Sequence, residues 1–389
     1  MLQKLRQIYA SAMARPPIHK AELLCVQRMR GIAVLMVLVV HLEDVAMRLP
    51  HWVQSHSFFS QRIGYSGPDM FFVISGFIMT YITLGAPFRP RQWLVSRFIR
   101  IYPMYILFTL MVAMLWLHNP AMTMGSGPQT MSTVLQSTFI LPQAGLPLLF
   151  VGWTVEHEIV FYAIVFLTAW LLRPHWLPGV LWGLSALAIV RWLYQQATDT
   201  QIWDLHLTSL YMIQFAMGAS VYRYWMAHPR NHWFGPGCIA VALFLAGVLL
   251  AESGSINQEQ PLRVLAFGGA YSMLLLALLN VERAQKAAGR FATRRDPLVW
   301  MGDASYAIYL SHPFVLGSFG KLFPHLESTP TANVLYVGLA AAATLGVGLL
   351  THVLLEKPII EMGKLLSGRR SSITPPSKSH DHPIHRNTP

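Results

Sequence analysis

Apolar residues run along this chain in long unbroken stretches, not in the alternating or three-to-four-spaced patterns of a soluble domain. Ten such segments fall at 31–49, 68–85, 100–118, 148–172, 176–194, 207–225, 234–252, 262–280, 298–317 and 333–356. Each is close to the ~20 residues that a helix needs to cross a bilayer. The pattern predicts an all-α, polytopic membrane helix bundle of about ten transmembrane helices, with no internal repeat.

The first segment is the most informative. Arg30 and Gly31 are followed by nine apolar residues and then His41. On a helix, Arg30 and His41 are separated by about 16 Å at ~1.5 Å per residue. That is about half of a ~30 Å hydrocarbon layer. Arg30 is therefore expected at one membrane face and His41 near mid-depth, where an ionisable group is a functional-site hypothesis by default. The alternative is a histidine bonded to a neighbouring helix, or one bordering an outer vestibule.

Charge refines this picture. Only 12% of the 389 residues are charged and 54% are hydrophobic, against roughly 25% charged in soluble chains; the mean hydropathy is +0.42. If the N-terminus is cytoplasmic, 24 of the 29 Lys and Arg residues fall in inside segments and five in outside segments or outer helix ends. The positive-inside rule thus favours ten spans with both termini cytoplasmic. The net charge of +12 then reports orientation in the lipid bilayer, and no nucleic-acid partner is expected. Three parts follow: a cytoplasmic segment 1–28, a membrane domain 29–360 and a disordered cytoplasmic tail 361–389. No cleavable leader is expected, so the first span directs insertion. Cys25 and Cys238 form neither a disulfide framework nor a zinc pattern, and no metal site is expected.

Candidate chemistry is scattered over the spans. Asp69 opens the second, where a carboxylate favours the helix dipole; the residues after it, including Ser75 and Gly76, suit close helix packing. Arg97 and Arg100 share a helix face at the start of the third span. Guanidiniums so placed either anchor the helix or grip a polyanion from the cytosol. In the fourth span Glu156, His157 and Glu158 lie between Trp153 and Tyr162. Their spacing matches no trusted metal motif, and consecutive residues face different ways, so at most one or two of the three face the bundle. His312 lies toward the outer end of the ninth span, as a bundle-lining histidine or a site residue.

Taken together, these residues resemble the acyltransferase-3 family of integral membrane acyltransferases, and within it bacterial exopolysaccharide acetyltransferases. The resemblance is carried by Arg30 with His41, by DMFFVISGF from Asp69 to Phe77, by Arg97 with Arg100, by Trp153 to Tyr162 with Glu158, and by SYAIYLSH from Ser305 to His312. It covers about 27–360; Pro68 and the pair Glu156-His157 depart from the family pattern. No additional hydrolase domain is expected after the last span.

The resemblance implies an inner-membrane, multi-pass O-acyltransferase moving an acyl group, acetyl in the first instance, from acetyl-CoA or another acyl-CoA to a carbohydrate hydroxyl. The acyl-CoA is a co-substrate, and no bound cofactor is implied. Arg30, Arg97 and Arg100 would hold the donor phosphates. His41 would serve as general base or as a nucleophile carrying the acyl group. Glu158 would orient His41 or bind the sugar. Asp69, Ser75, Trp153, Tyr162 and His312 would bind substrate or support the site. A transporter and a non-catalytic subunit of a polysaccharide export system are the alternative classes.

Overall fold

A computed structural model describes residues 22–50, 52, 63–120, 129–229, 232–251, 260–291, 296–327 and 329–366. Among them there are helices and no strands. In chain order these are α1 (Leu24–Ala46), α2 (Gly67–Gly85), α3 (Pro90–His118), α4 (Met131–Thr138), α5 (Trp153–Leu167) and α6 (Leu177–Thr198). Then come α7 (Met212–Ala227), α8 (Phe234–Ala251), α9 (Pro261–Ala287), α10 (Pro297–Asp303), α11 (Ser305–Leu322), α12 (Pro330–Thr351) and α13 (Lys357–Leu366). π-helical turns extend α5 through Thr168–Leu172 and α12 through His352–Glu356.

Every predicted apolar segment is helical, with three changes. The segment at 298–317 breaks into α10 and α11 at Ala304. The segment at 207–225 loses its beginning, because 199–211 is irregular and α7 starts at Met212. The first helix starts at Leu24, seven residues before 31, so Arg30 lies inside it, and His41 lies five residues before its last residue, Ala46. At the other terminus α13 carries helix to Leu366, past the boundary expected at 360, and the rest of the expected tail lies outside the described residues, as do positions 1–21.

Six helical stretches are long and apolar enough to cross a membrane by length and composition: Gly64–Gly85, Pro90–His118, Phe150–Leu172, Pro174–Thr198, Pro261–Ala287 and Pro330–Lys364. Their outward faces expose large apolar side chains such as Leu117, Trp170, Leu262 and Leu335. Apolar surface on this scale fits lipid contact, and the chain is a polytopic helical membrane protein.

Different charged and polar contacts gather at the two ends of the bundle. At one end the backbone N–H groups of Leu24 and Cys25 donate to the Glu282 carboxylate, at 3.2 and 2.7 Å. These two groups open α1 and need acceptors that the helix itself cannot supply. Arg28 pairs with Asp296 at 2.7 Å, and the Tyr306 hydroxyl donates to the carbonyl of Ile101 at 2.9 Å. This is the arginine end. At the opposite end Arg48 donates to the carbonyl of Gly320 and Asn333 to that of Pro50, at 3.4 and 3.0 Å.

Two backbone crossings set the bundle geometry. In the first, Gly31 of α1 lies on the carbonyl of Leu298 and Gly302 of α10 on that of Gln27. In the second, Gly76 of α2 meets Phe215 of α7, and Gly218 meets Val73. A Cβ at any of these positions would collide with backbone. Small residues permit such close approach between helices in a membrane. The first crossing brings Arg30 to Ser305, and the second aligns α2 with the aromatic core around Phe161 and Phe215.

Asp69 is no exposed helix cap. It is fully buried, pairs with Arg263 of α9 at 2.7 Å and accepts a hydrogen bond from the Gln214 amide at 2.5 Å. Removing one partner of a buried ion pair leaves an uncompensated charge, which costs about 3–5 kcal/mol. Arg263→Met should therefore lower the thermal unfolding temperature of the detergent-purified protein sharply. Combining it with Asp69→Leu should restore most of the loss, and a single variant as stable as wild type would show that the pair is not structural.

Candidate active site

A cavity of about 290 Å³ opens between α1, α2, α3, α5 and α11. Arg30, Arg97, Arg100, Ser75, Glu158 and Tyr162 all line it, so six of the ten residues singled out in the sequence share one wall. Apolar and aromatic side chains fill the remainder, among them Phe71, Ile78, Tyr306 and Tyr309.

The charges in this wall are unequal. Arg30 donates to the Ser305 hydroxyl at 2.8 Å and to the Gln27 amide oxygen at 3.3 Å. It lies within electrostatic range of Arg100 and of the carboxylates of Glu356, Glu158 and Asp303. Glu356 is tied to His352 in the π-turn of the last span, at 2.6 Å. Arg97 lies over the Tyr162 ring, 5.9 Å from its centroid, and its one hydrogen bond among the described residues goes to Ser96 at 3.4 Å. Arg100 makes no hydrogen bond among them. Three guanidiniums thus face one lining carboxylate. A partly buried cation excess of this kind suits an anionic ligand, and arginine suits phosphate.

Glu158 is held on one oxygen. Its Oε1 accepts from the Tyr162 hydroxyl at 2.5 Å and from the Ser75 hydroxyl at 3.1 Å. The other oxygen has no hydrogen bond among the described residues.

His41 stands apart from this wall. Its Nδ1 lies 3.2 Å from Asp44, one turn along α1. Its ring stacks on His312 at a centroid distance of 5.1 Å and meets the edge of Phe150 at 5.2 Å. The carboxylate beside His41 is thus that of Asp44, while Glu158 lines the arginine cavity. His312 is buried, and its Nε2 has no hydrogen-bond partner among the described residues. Tyr309 joins the two neighbourhoods: it lines the cavity, and its ring centroid is 5.8 Å from that of His312. The Tyr309 hydroxyl is fixed by the Val151 carbonyl and Thr154, both at 2.9 Å.

Trp153 belongs to packing. It lies in an aromatic group with Phe72 and Tyr211. Glu156 and His157 are both buried and face away from the cavity, so all three of the consecutive polar residues in α5 are enclosed, in two different surroundings. Glu156 accepts from the backbone and side chain of Gln143, at 3.2 and 3.1 Å, and lies 3.2 Å from His206 Nε2. The rings of His157 and His206 stack at 4.0 Å.

Asp44, Gln143, His206, His352 and Glu356 were not found in the sequence. Asp44 had a local signal, its i, i+3 spacing from His41. The others depend on contacts between distant segments or on an irregular loop.

A family model described as an acyltransferase domain matches residues 24–353, from the first residue of α1 into the π-turn that ends α12. The chain is similar to the exopolysaccharide production protein ExoZ of Rhizobium meliloti (strain 1021): 28% identical over 323 residues, covering 78% of this chain and 91% of that protein. It is also similar to a protein of Komagataeibacter xylinus named as a membrane-bound transacylase, BcsY. That match is 26% identical over 352 residues, with 85% and 81% covered. No solved structure matches the chain. With the family model matching most of its length, and with arginine and histidine motifs gathered in one helical bundle, the chain belongs to the acyltransferase-3 family and is a membrane O-acyltransferase.

Proposed function

We propose that this enzyme sits in the bacterial inner membrane with both termini in the cytoplasm. It moves an acetyl group from acetyl-CoA, bound at the arginine end, to a sugar hydroxyl at the histidine end. The acceptor is an exopolysaccharide, a lipopolysaccharide or a lipid-linked glycan; the name of the ExoZ relative supports the first. One observation carries the reading: three arginines and Glu158 line a cavity bounded by Tyr309, and Tyr309 packs against the His41–His312 pair.

In this reading the donor phosphates meet Arg97 and Arg100 at the cytoplasmic face. The pantetheine arm runs along the apolar wall past Tyr306, and the free oxygen of Glu158 accepts a hydrogen bond from it. Arg30 and His41 are eleven residues apart on α1, about 16 Å, a span that an extended pantetheine arm covers. Asp44 accepts the Nδ1 proton of His41 and so leaves Nε2 as the proton acceptor. The acceptor hydroxyl gives its proton to Nε2 as its oxygen attacks the thioester carbonyl. The carbon–sulfur bond breaks, and coenzyme A leaves with its sulfur taking up the proton.

Four outcomes are expected. Ten spans require reporter fusions within 89–97 and after residue 389 to read cytoplasmic and fusions within 120–145 to read external; a cytoplasmic signal from 120–145 would overturn the topology. Arg97→Ala and Arg100→Ala should each raise the KM for acetyl-CoA about 10- to 100-fold, the worth of a charged hydrogen bond of about 1.5–3 kcal/mol. Folded variants with unchanged KM would make the arginines mere anchors. His41→Asn should lower kcat by about 10²–10⁴-fold with donor binding intact. Asp44→Asn should lower kcat less and shift its pH profile. Near-normal transfer by His41→Asn would return that residue to a structural role, whereas acetyl label on wild-type His41 from donor alone would identify it as the nucleophile.

A further inference from the structure

A second, smaller cavity lies on the arginine side of the first. Its volume is about 160 Å³, and Gln92, Ser96, Arg97, Arg100, Ile360 and Lys364 line it. Arg97 and Arg100 line both cavities, so the two cavities meet at this pair. The far wall comes from α13, the helix that follows the last span. Gly363 packs there on Ile99 so closely that no larger residue would fit without displacing the isoleucine. Ile360 and Lys364 are four apart and so share one helix face; Gln92, Ser96, Ile99 and Arg100 do the same on α3. The smaller cavity therefore has three cations at its wall, Arg97, Arg100 and Lys364, and no lining carboxylate.

Given the acyl-CoA reading above, on which this inference rests, we propose that the smaller cavity is a phosphate subsite for the nucleotide end of the donor, and that Lys364 is a donor-binding residue. A drug-sized pocket is roughly 300–1,000 Å³, so this one fits phosphate groups and leaves the adenosine outside it, toward the cytosol. The phosphates would rest between Lys364 and the arginine pair, and the pantetheine arm would pass the guanidiniums into the larger cavity. Lys364 now pairs with Glu361 at 2.6 Å, but 47% of its side chain is exposed. A phosphate can displace an exposed partner of this kind. Phosphate is also the chemistry of lipid headgroups, so the two sources have to be separated by experiment.

The test uses the full chain in nanodiscs. Binding of coenzyme A, 3′-dephospho-coenzyme A and pantetheine is measured for wild type, Lys364→Glu and Lys364→Arg. Lys364→Glu should weaken coenzyme A about tenfold or more, leave pantetheine unchanged, and be rescued by Lys364→Arg. A smaller loss for the dephospho form would place Lys364 at the 3′-phosphate, and an equal loss would place it at the diphosphate. Equal coenzyme A affinity in wild type and Lys364→Glu would overturn the subsite alone, as would a change confined to retention of anionic lipid. Wild-type protein that binds neither coenzyme A nor pantetheine would overturn the acyl-CoA reading and the subsite with it.

Discussion

Taking a charged group out of water costs several kcal/mol unless partners compensate it, and this bundle holds three guanidiniums around one cavity. Its architecture answers that constraint by degrees. Arg30 reaches furthest into the helices and has the most support: Ser305, Gln27 and the nearby carboxylates of Glu158, Asp303 and Glu356. Arg97 and Arg100 are half-buried at the mouth and have almost none. The glycine crossing between α1 and α10 matters because it brings the Ser305 hydroxyl within reach of Arg30. A side chain at Gly31 or Gly302 would separate the helices and strand that arginine.

The first helix also acts as a ruler. Arg30 and His41 ride on one rigid element, so their separation does not depend on how neighbouring helices settle. Around this element the bundle divides into two chemical neighbourhoods. The arginines, Ser75, Glu158 and Tyr162 face the cavity. His41, Asp44, His312 and Phe150 gather at the other end. Tyr309 stands between them, fixed by Val151 and Thr154. Its ring therefore lies where the two neighbourhoods meet.

Much of this was legible in the chain because membrane helices leave a strong local signal. Long apolar runs gave the helices, and charge placed beside the runs gave their ends. The shared level of Arg30, Arg97 and Arg100 follows from their places beside the apolar runs, whereas Glu158, expected beside His41 or a sugar, lines the same cavity as the arginines. What escaped notice depended on partners far apart in sequence. Asp69 reads as a cap until Arg263, 194 residues away, is seen beside it. The start of α1 is hidden because residues 24–29 carry Gln27 and Arg28 and break the apolar run, yet they are helical. His206 was invisible for another reason. It lies in the irregular stretch before α7 with a φ of +64°, the left-handed region that non-glycine residues rarely enter.

The acidic residues show how the division is maintained. The chain has only 17 of them, and those inside the bundle each serve a distinct partner: Asp69 meets Arg263, Glu282 the start of α1, Glu356 His352, and Glu156 Gln143 with His206. Glu158 and Asp44 follow the same logic. Two hydroxyls hold one oxygen of Glu158 in the arginine cavity, so it is not the group that orients His41 in this structure. Asp44 is one turn from His41 on the same helix, where i, i+3 side chains meet. The histidine thus has its carboxylate neighbour on its own helix, while its ring packs on Phe150 and His312 from other segments.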